Sequence, residues 1–117
     1  MKMLYVCGSF KFIRKMNELE RKLNKENIEF MMLKKRSTRG IGECLEKIDA
    51  ADLVYVVNPD GYVGKSVCVD MGYAYAKSKP IYVMYPIDDP QVMCMVKGAL
   101  SFEELIDFLK HSNSSRE

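Results

Sequence analysis

Apolar positions along the chain alternate between short continuous runs and stripes at helical spacing. Lys2 to Cys7 is a β-branched and aromatic run followed at once by Gly8-Ser9, the pattern of a buried strand that ends in a turn. From Lys11 to Lys25 the apolar residues Phe12, Met16, Leu19 and Leu23 recur every three or four positions with Lys, Arg and Glu opposite, which predicts an amphipathic helix. Asn27 ends it, and Ile28 to Leu33 predicts a second strand, closed by the charged cluster Lys34 to Arg36. Ser37 to Gly40 carries turn chemistry, after which Ile41, Cys44, Leu45 and Ile48 repeat at helical spacing up to Ala50. Leu53 to Val57 is apolar without interruption, as a central parallel strand covered on both faces requires.

A third helix is predicted over Lys65 to Ser78, with Val67, Met71, Ala74 and Tyr75 on its buried face. Lys79-Pro80 stops it before a fourth strand over Ile81 to Tyr85 and a polar turn over Pro86 to Pro90. Gln91 to Leu100 fits a short helix or a strand equally well. Ser101 and Glu104 form a capping box ahead of Phe102, Leu105, Ile106 and Leu109, so a last helix follows, and 111–117 is expected to be a frayed, flexible tail. Strand and helix alternate throughout. The expected fold class is therefore α/β: a single doubly wound domain over 1–110, with a flavodoxin-like parallel five-stranded sheet in the order 2-1-3-4-5 and helices on both faces.

Composition narrows the function classes. At 117 residues the chain has room for one domain with a real core. Its 29% charged residues sum to a net charge of only +2, and the basic residues are dispersed, so it lacks the basic face that nucleic-acid binding needs. Its apolar runs fall well short of the roughly 20 residues of a membrane-spanning helix, and the N-terminus shows no signal-peptide pattern, which together predict a cytoplasmic protein. Cys7, Cys44, Cys68 and Cys94 lie far apart without a C-x-x-C spacing and His111 is the single histidine, so free thiols rather than a metal site are expected.

Candidate chemistry concentrates where the winding of such a sheet reverses, between the carboxyl ends of the first and third strands. The loops there are Gly8-Ser9-Phe10 and Asn58 to Ser66, and topology brings Tyr5, Ser9 and Asp70 toward one pocket. Asp70 stands among Val67, Val69 and Met71, where a charge costs free energy unless something pairs with it. Gly64-Lys65-Ser66 imitates a phosphate-binding loop, but Pro59 occupies the place of that motif's first glycine; the free N–H groups of a Gly-rich helix start can still hold an anion. Each of these residues also has a plain structural reading. Asp70 could sit on a helix rim, the tyrosines Tyr5, Tyr73 and Tyr75 could serve packing, and Ser9 could cap a helix. Met93 and Met95 are core filler by default, or could line a pocket or interface.

Four segments, MLYVCGSF, AADLVYVV, GYVGKSVCVDMGYAYAKSKPIYV and VMCMVKGA, resemble the nucleoside 2-deoxyribosyltransferase family in content and order. Within it the likeness is greatest to the 2′-deoxynucleoside 5′-phosphate N-hydrolases. The resemblance implies cleavage or transfer of the N-glycosidic bond of 2′-deoxynucleosides or their 5′-monophosphates by a carboxylate nucleophile. It places Asp70 where the family has a glutamate, one methylene longer. It implies Tyr5 as the group that orients this nucleophile. Glu43 would be the acid that meets the leaving base, in a register where counting back from Ala51-Asp52 lands on the adjacent Cys44. Gly8, Ser9 and Phe10, together with Asn58, Gly61, Gly64 and Ser66 of the second loop, would contact substrate. Met95 would reach a neighbouring subunit's pocket, which makes a homodimer or larger homo-oligomer the expected assembly. Met93 stands where the hydrolases have a phosphate-contacting serine. No metal or organic cofactor is implied, and the alternative is a non-catalytic nucleotide-binding module that keeps the pocket.

Overall fold

The computed structural model of the protein describes residues 2–33 and 40–114. Five parallel strands form one sheet in the order β2-β1-β3-β4-β5, comprising β1 (Leu4–Gly8), β2 (Phe30–Met32), β3 (Leu53–Val57), β4 (Ile81–Val83) and β5 (Gly98–Ala99). The helices are α1 (Ile13–Lys25), α2 (Gly42–Ala50), α3 (Lys65–Ala76), the single-turn α4 (Pro90–Met93) and α5 (Phe102–Ser114). The doubly wound order expected from the sequence is the order observed. β1 pairs with β2 on one side and along its full length with β3 on the other, from Leu4 opposite Leu53 to Gly8 opposite Val57.

The two-residue period of the strands sorts their side chains into two cores. Leu4 and Val6 join Leu53, Tyr55 and Val57 against Met16, Leu19 and Leu23 of α1 and Phe102, Leu105 and Leu109 of α5. Tyr5 and Cys7 point the other way, with Val54, Val56, Ile81 and Val83, against Ile48 of α2 and Val67, Met71 and Ala74 of α3. That second layer carries the candidate chemistry.

Two expectations need correction, and one left open is resolved. Tyr75, placed on the buried stripe of α3, is 56% exposed, because α3 meets the sheet through Val67, Asp70, Met71 and Ala74 instead. Ile41, the first residue of the α2 stripe, precedes the helix and is 38% exposed. The ambiguous segment Gln91 to Leu100 is both things in turn: α4 ends at Met93, and Gly98–Ala99 then pairs with β4. The capping box forms as expected, the Ser101 N–H donating to Glu104 Oε1 at 2.8 Å and the Glu104 N–H to Ser101 Oγ at 3.1 Å. The helix it opens continues to Ser114, past the expected start of the tail. The charged cluster Lys34 to Arg36 and the turn residues Ser37 to Arg39 lie outside the described residues. Among the described residues no helix is long and apolar enough to cross a membrane.

The loop after β3 is held rigidly by Asn58. This residue is wholly buried, accepts from the Met84 and Tyr85 N–H groups at 2.9 and 3.0 Å, and donates to the Tyr85 carbonyl at 2.8 Å. Gly61 completes the turn with a φ of 82°, where a Cβ would come within 2.6 Å of the Pro86 carbonyl oxygen. Together they tie the end of β3 to the end of β4 and fix the approach to α3.

Candidate functional site

A cavity of about 790 Å³ opens at the carboxyl ends of β1 and β3, the predicted switch point. Its floor is Tyr5 and Cys7 of β1, Cys44 of α2 and Asp70 of α3. Its mouth is formed by Gly8 to Lys11 on one side and by Tyr62 and Gly64 to Val67 on the other. β1 stops against β3 closely enough that a Cβ on Gly8 would fall 2.8 Å from the Val57 carbonyl oxygen, so this position is a packing requirement as well as a cavity wall.

Asp70 is the anomaly that sequence reasoning singled out, and the structure sharpens it. The residue is 4% exposed and its Oδ1 has no hydrogen-bond partner among the described residues. Burial pushes its carboxyl up to about 6. An unpaired carboxylate facing a cavity is costly for folding alone. Beside it, burial holds the Tyr5 hydroxyl firmly protonated, and the negative charge of Asp70 adds to the effect. Burial and the Asp70 charge likewise raise the thiols of Cys7 and Cys44, which stay neutral.

The mouth has the opposite character. α3 begins at Lys65 after Gly64, which offers no side chain to cap the helix, and Lys65 and Ser66 line the cavity. Lys11 Nζ lies 3.7 Å from the centre of the Tyr62 ring, and the Phe12 and Tyr62 rings meet edge to face at 5.8 Å, joining the two loops that flank the opening. Ser9 Oγ accepts from the Lys11 N–H at 3.4 Å, so this serine caps the short 3-10 turn Phe10–Phe12 while it lines the cavity.

Of the residues predicted for the site, Tyr5, Gly8, Ser9, Phe10, Gly64, Ser66 and Asp70 come together around this cavity. Glu43, Asn58, Gly61 and Met95 are not among its lining residues. Asn58 spends its side chain on the backbone of Met84 and Tyr85, and Gly61 makes the turn against Pro86. Met95 packs on the core layer of α2 and α3. In the place expected for Glu43 the cavity receives its neighbour Cys44. Lys11, Tyr62 and Cys44 were missed. The count back from Ala51-Asp52 had already touched Cys44, whereas nothing in the sequence distinguished Lys11 and Tyr62 from other loop residues. Among the described residues no cluster of metal-ligating side chains forms.

No family model matches the sequence, and neither does any curated protein. Solved structures do share its fold. A conserved protein from Enterococcus faecalis V583 superposes with a TM-score of 0.69 at 15% identity, covering 96% of this chain and 99% of that one. A 2-deoxyribosyltransferase from Bacillus psychrosaccharolyticus gives 0.60 at 15% identity over 88% and 89%. A CMP N-glycosidase from Clostridium botulinum gives 0.59 at 13% identity over 93% and 98%. At these identities the likeness is one of fold: the chain has the architecture on which a deoxyribosyltransferase and an N-glycosidase are built.

Proposed function

We propose that the chain cleaves or transfers the N-glycosidic bond of 2′-deoxynucleosides or their 5′-monophosphates, with Asp70 as nucleophile. The observation that carries this reading is the buried Asp70 carboxylate, its Oδ1 without a partner among the described residues, on the floor of a cavity that Tyr5 and Cys44 also line. An oxygen of Asp70 would attack C1′ as the bond to the base nitrogen breaks, its electron pair leaving with the base. Water or a second base then displaces Asp70 from the glycosyl ester and restores the carboxylate. The resemblance in sequence supports this chemistry, and the deoxyribosyltransferase and N-glycosidase among the fold neighbours are consistent with it.

The test is incubation of the protein with the four 2′-deoxynucleosides and their monophosphates, with and without an acceptor base. Free or exchanged base is expected with the native protein and not with Asp70→Ala. No product from any of the eight substrates overturns the proposal.

The shorter aspartate favours one second reading, a nucleotide-binding module without turnover. A carboxylate oxygen displaced by about 1 Å from the family's glutamate position costs on the order of a hundredfold in rate. Calorimetric nucleotide binding that survives Asp70→Ala, with no base released by either protein, would favour that module. The enzymatic reading also carries a cytoplasmic homo-oligomer in which Met95 completes a neighbouring subunit's cavity. Sedimentation of the protein as a monomer at assay concentration removes that part of it.

A further inference from the structure

Resting on the N-glycosidic reading, we propose that Cys44 is its second catalytic residue: the thiol gives its proton to the departing base, and the thiolate takes a proton back from the water or base that resolves the intermediate. Cys44 lines the same cavity as Asp70, whose buried Oδ1 has no hydrogen-bond partner among the described residues and faces the space a ligand would fill. Tyr5 lines the same cavity, and its buried, protonated hydroxyl is a donor that can orient the Cys44 sulfur while the S–H donates to a cavity occupant.

Other protic groups are less suited. Glu43 does not line the cavity. Ser9 and Ser66 carry alcohols too weakly acidic to release a proton. Lys11 lies on the Tyr62 ring at the mouth, and Lys65 opens α3 about 7.5 Å along the helix axis from Asp70. The titratable groups acting on the thiol are Tyr5 from β1, Asp70 from α3 and Glu43 on its own helix, and Cys7, Lys11 and Lys65 line the same cavity.

Charge supplies the timing. While Asp70 is ionised, its charge helps keep the thiol protonated. Once an Asp70 oxygen bonds to C1′ the carboxylate becomes a neutral ester and that repulsion ends, so the thiol becomes a better acid as the base departs. The C1′–N electron pair goes to the base nitrogen, which takes the Cys44 proton. In the second half, a water or incoming-base proton passes to the thiolate as the new bond to C1′ forms and the Asp70 oxygen leaves with its electrons. Protons and charges balance for hydrolysis and for transfer alike.

The test compares native protein, Cys44→Ala and Cys44→Ser on a series of 2′-deoxynucleosides whose bases differ in acidity as leaving groups. Without the donor, kcat is expected to fall about 100-fold on the least acidic bases and by about threefold or less on the most acidic, with KM little changed. An unchanged kcat, or an equal loss across the series, overturns the proposal, because a packing role would not read the leaving group.

A second measurement needs no turnover. Alkylation of Cys44 by iodoacetamide, followed on its own peptide by mass spectrometry, should have its pH midpoint lowered in Asp70→Asn relative to the native protein. An unchanged midpoint overturns the coupling on which the donor role depends. A native protein that releases no base from any substrate overturns the N-glycosidic reading itself, and that failure is visible before any Cys44 variant is assayed.

Discussion

Tyr5 keeps its hydroxyl proton beside Asp70, burial in β1 doing most of this and the nearby negative charge adding to it. Tyr5 is therefore a hydrogen-bond donor throughout the working pH range, never a base. Tyr5→Phe should lower kcat about tenfold or more through the lost ordering of the Cys44 thiol, and should cost about 1 kcal/mol of stability. Steady-state kinetics with denaturant unfolding on the same preparations checks both parts.

Asp70 must be ionised to attack. With its carboxyl raised to about 6, the rate should climb as pH rises through 6 and level above it. A rate that is already flat at pH 5 would contradict the assignment.

The same raised value has a cost in stability. The folded protein binds more protons than the unfolded chain between the unfolded value of 3.8 and about 6, so stability falls as pH rises through that window. Asp70→Asn should therefore be more stable than the native protein at pH 8, by on the order of 3 kcal/mol, with the difference vanishing below about pH 4. Urea denaturation at the two pH values measures it.

Lengthening the nucleophile tests the geometry directly. Asp70→Glu restores the missing methylene and, if the cavity is otherwise suited to attack at C1′, should raise kcat by roughly tenfold or more. A fall in kcat would mean that the cavity is shaped for the shorter side chain.

Asn58→Ala should cost about 3 kcal/mol, because it strands the Met84 and Tyr85 N–H groups and the Tyr85 carbonyl that Asn58 now satisfies. The loss should appear in thermal and denaturant unfolding. A wild-type unfolding curve would show that water replaces the side chain.

Sequence by itself determined the sheet order, the central place of β3, the capping box of α5 and the crevice at which Asp70 had to be found. These follow from local signals, apolar period, turn residues and the handedness of crossovers, all of which act over a few residues or through rules common to every doubly wound chain. Tertiary structure decided which neighbours on an element face the cavity. Glu43 and Cys44 differ by one residue, which is about 100° around a helix; the apolar stripe of α2 already held Cys44 and not Glu43, and the tertiary structure decided that this face reaches the cavity. It also gave Asn58 to the loop before α4 rather than to a ligand, because its three partners lie beyond the reach of any local pattern. Asp70 was visible as an anomaly in the chain, but only the packed sheet and α3 could show that its oxygen lacks a partner among the described residues.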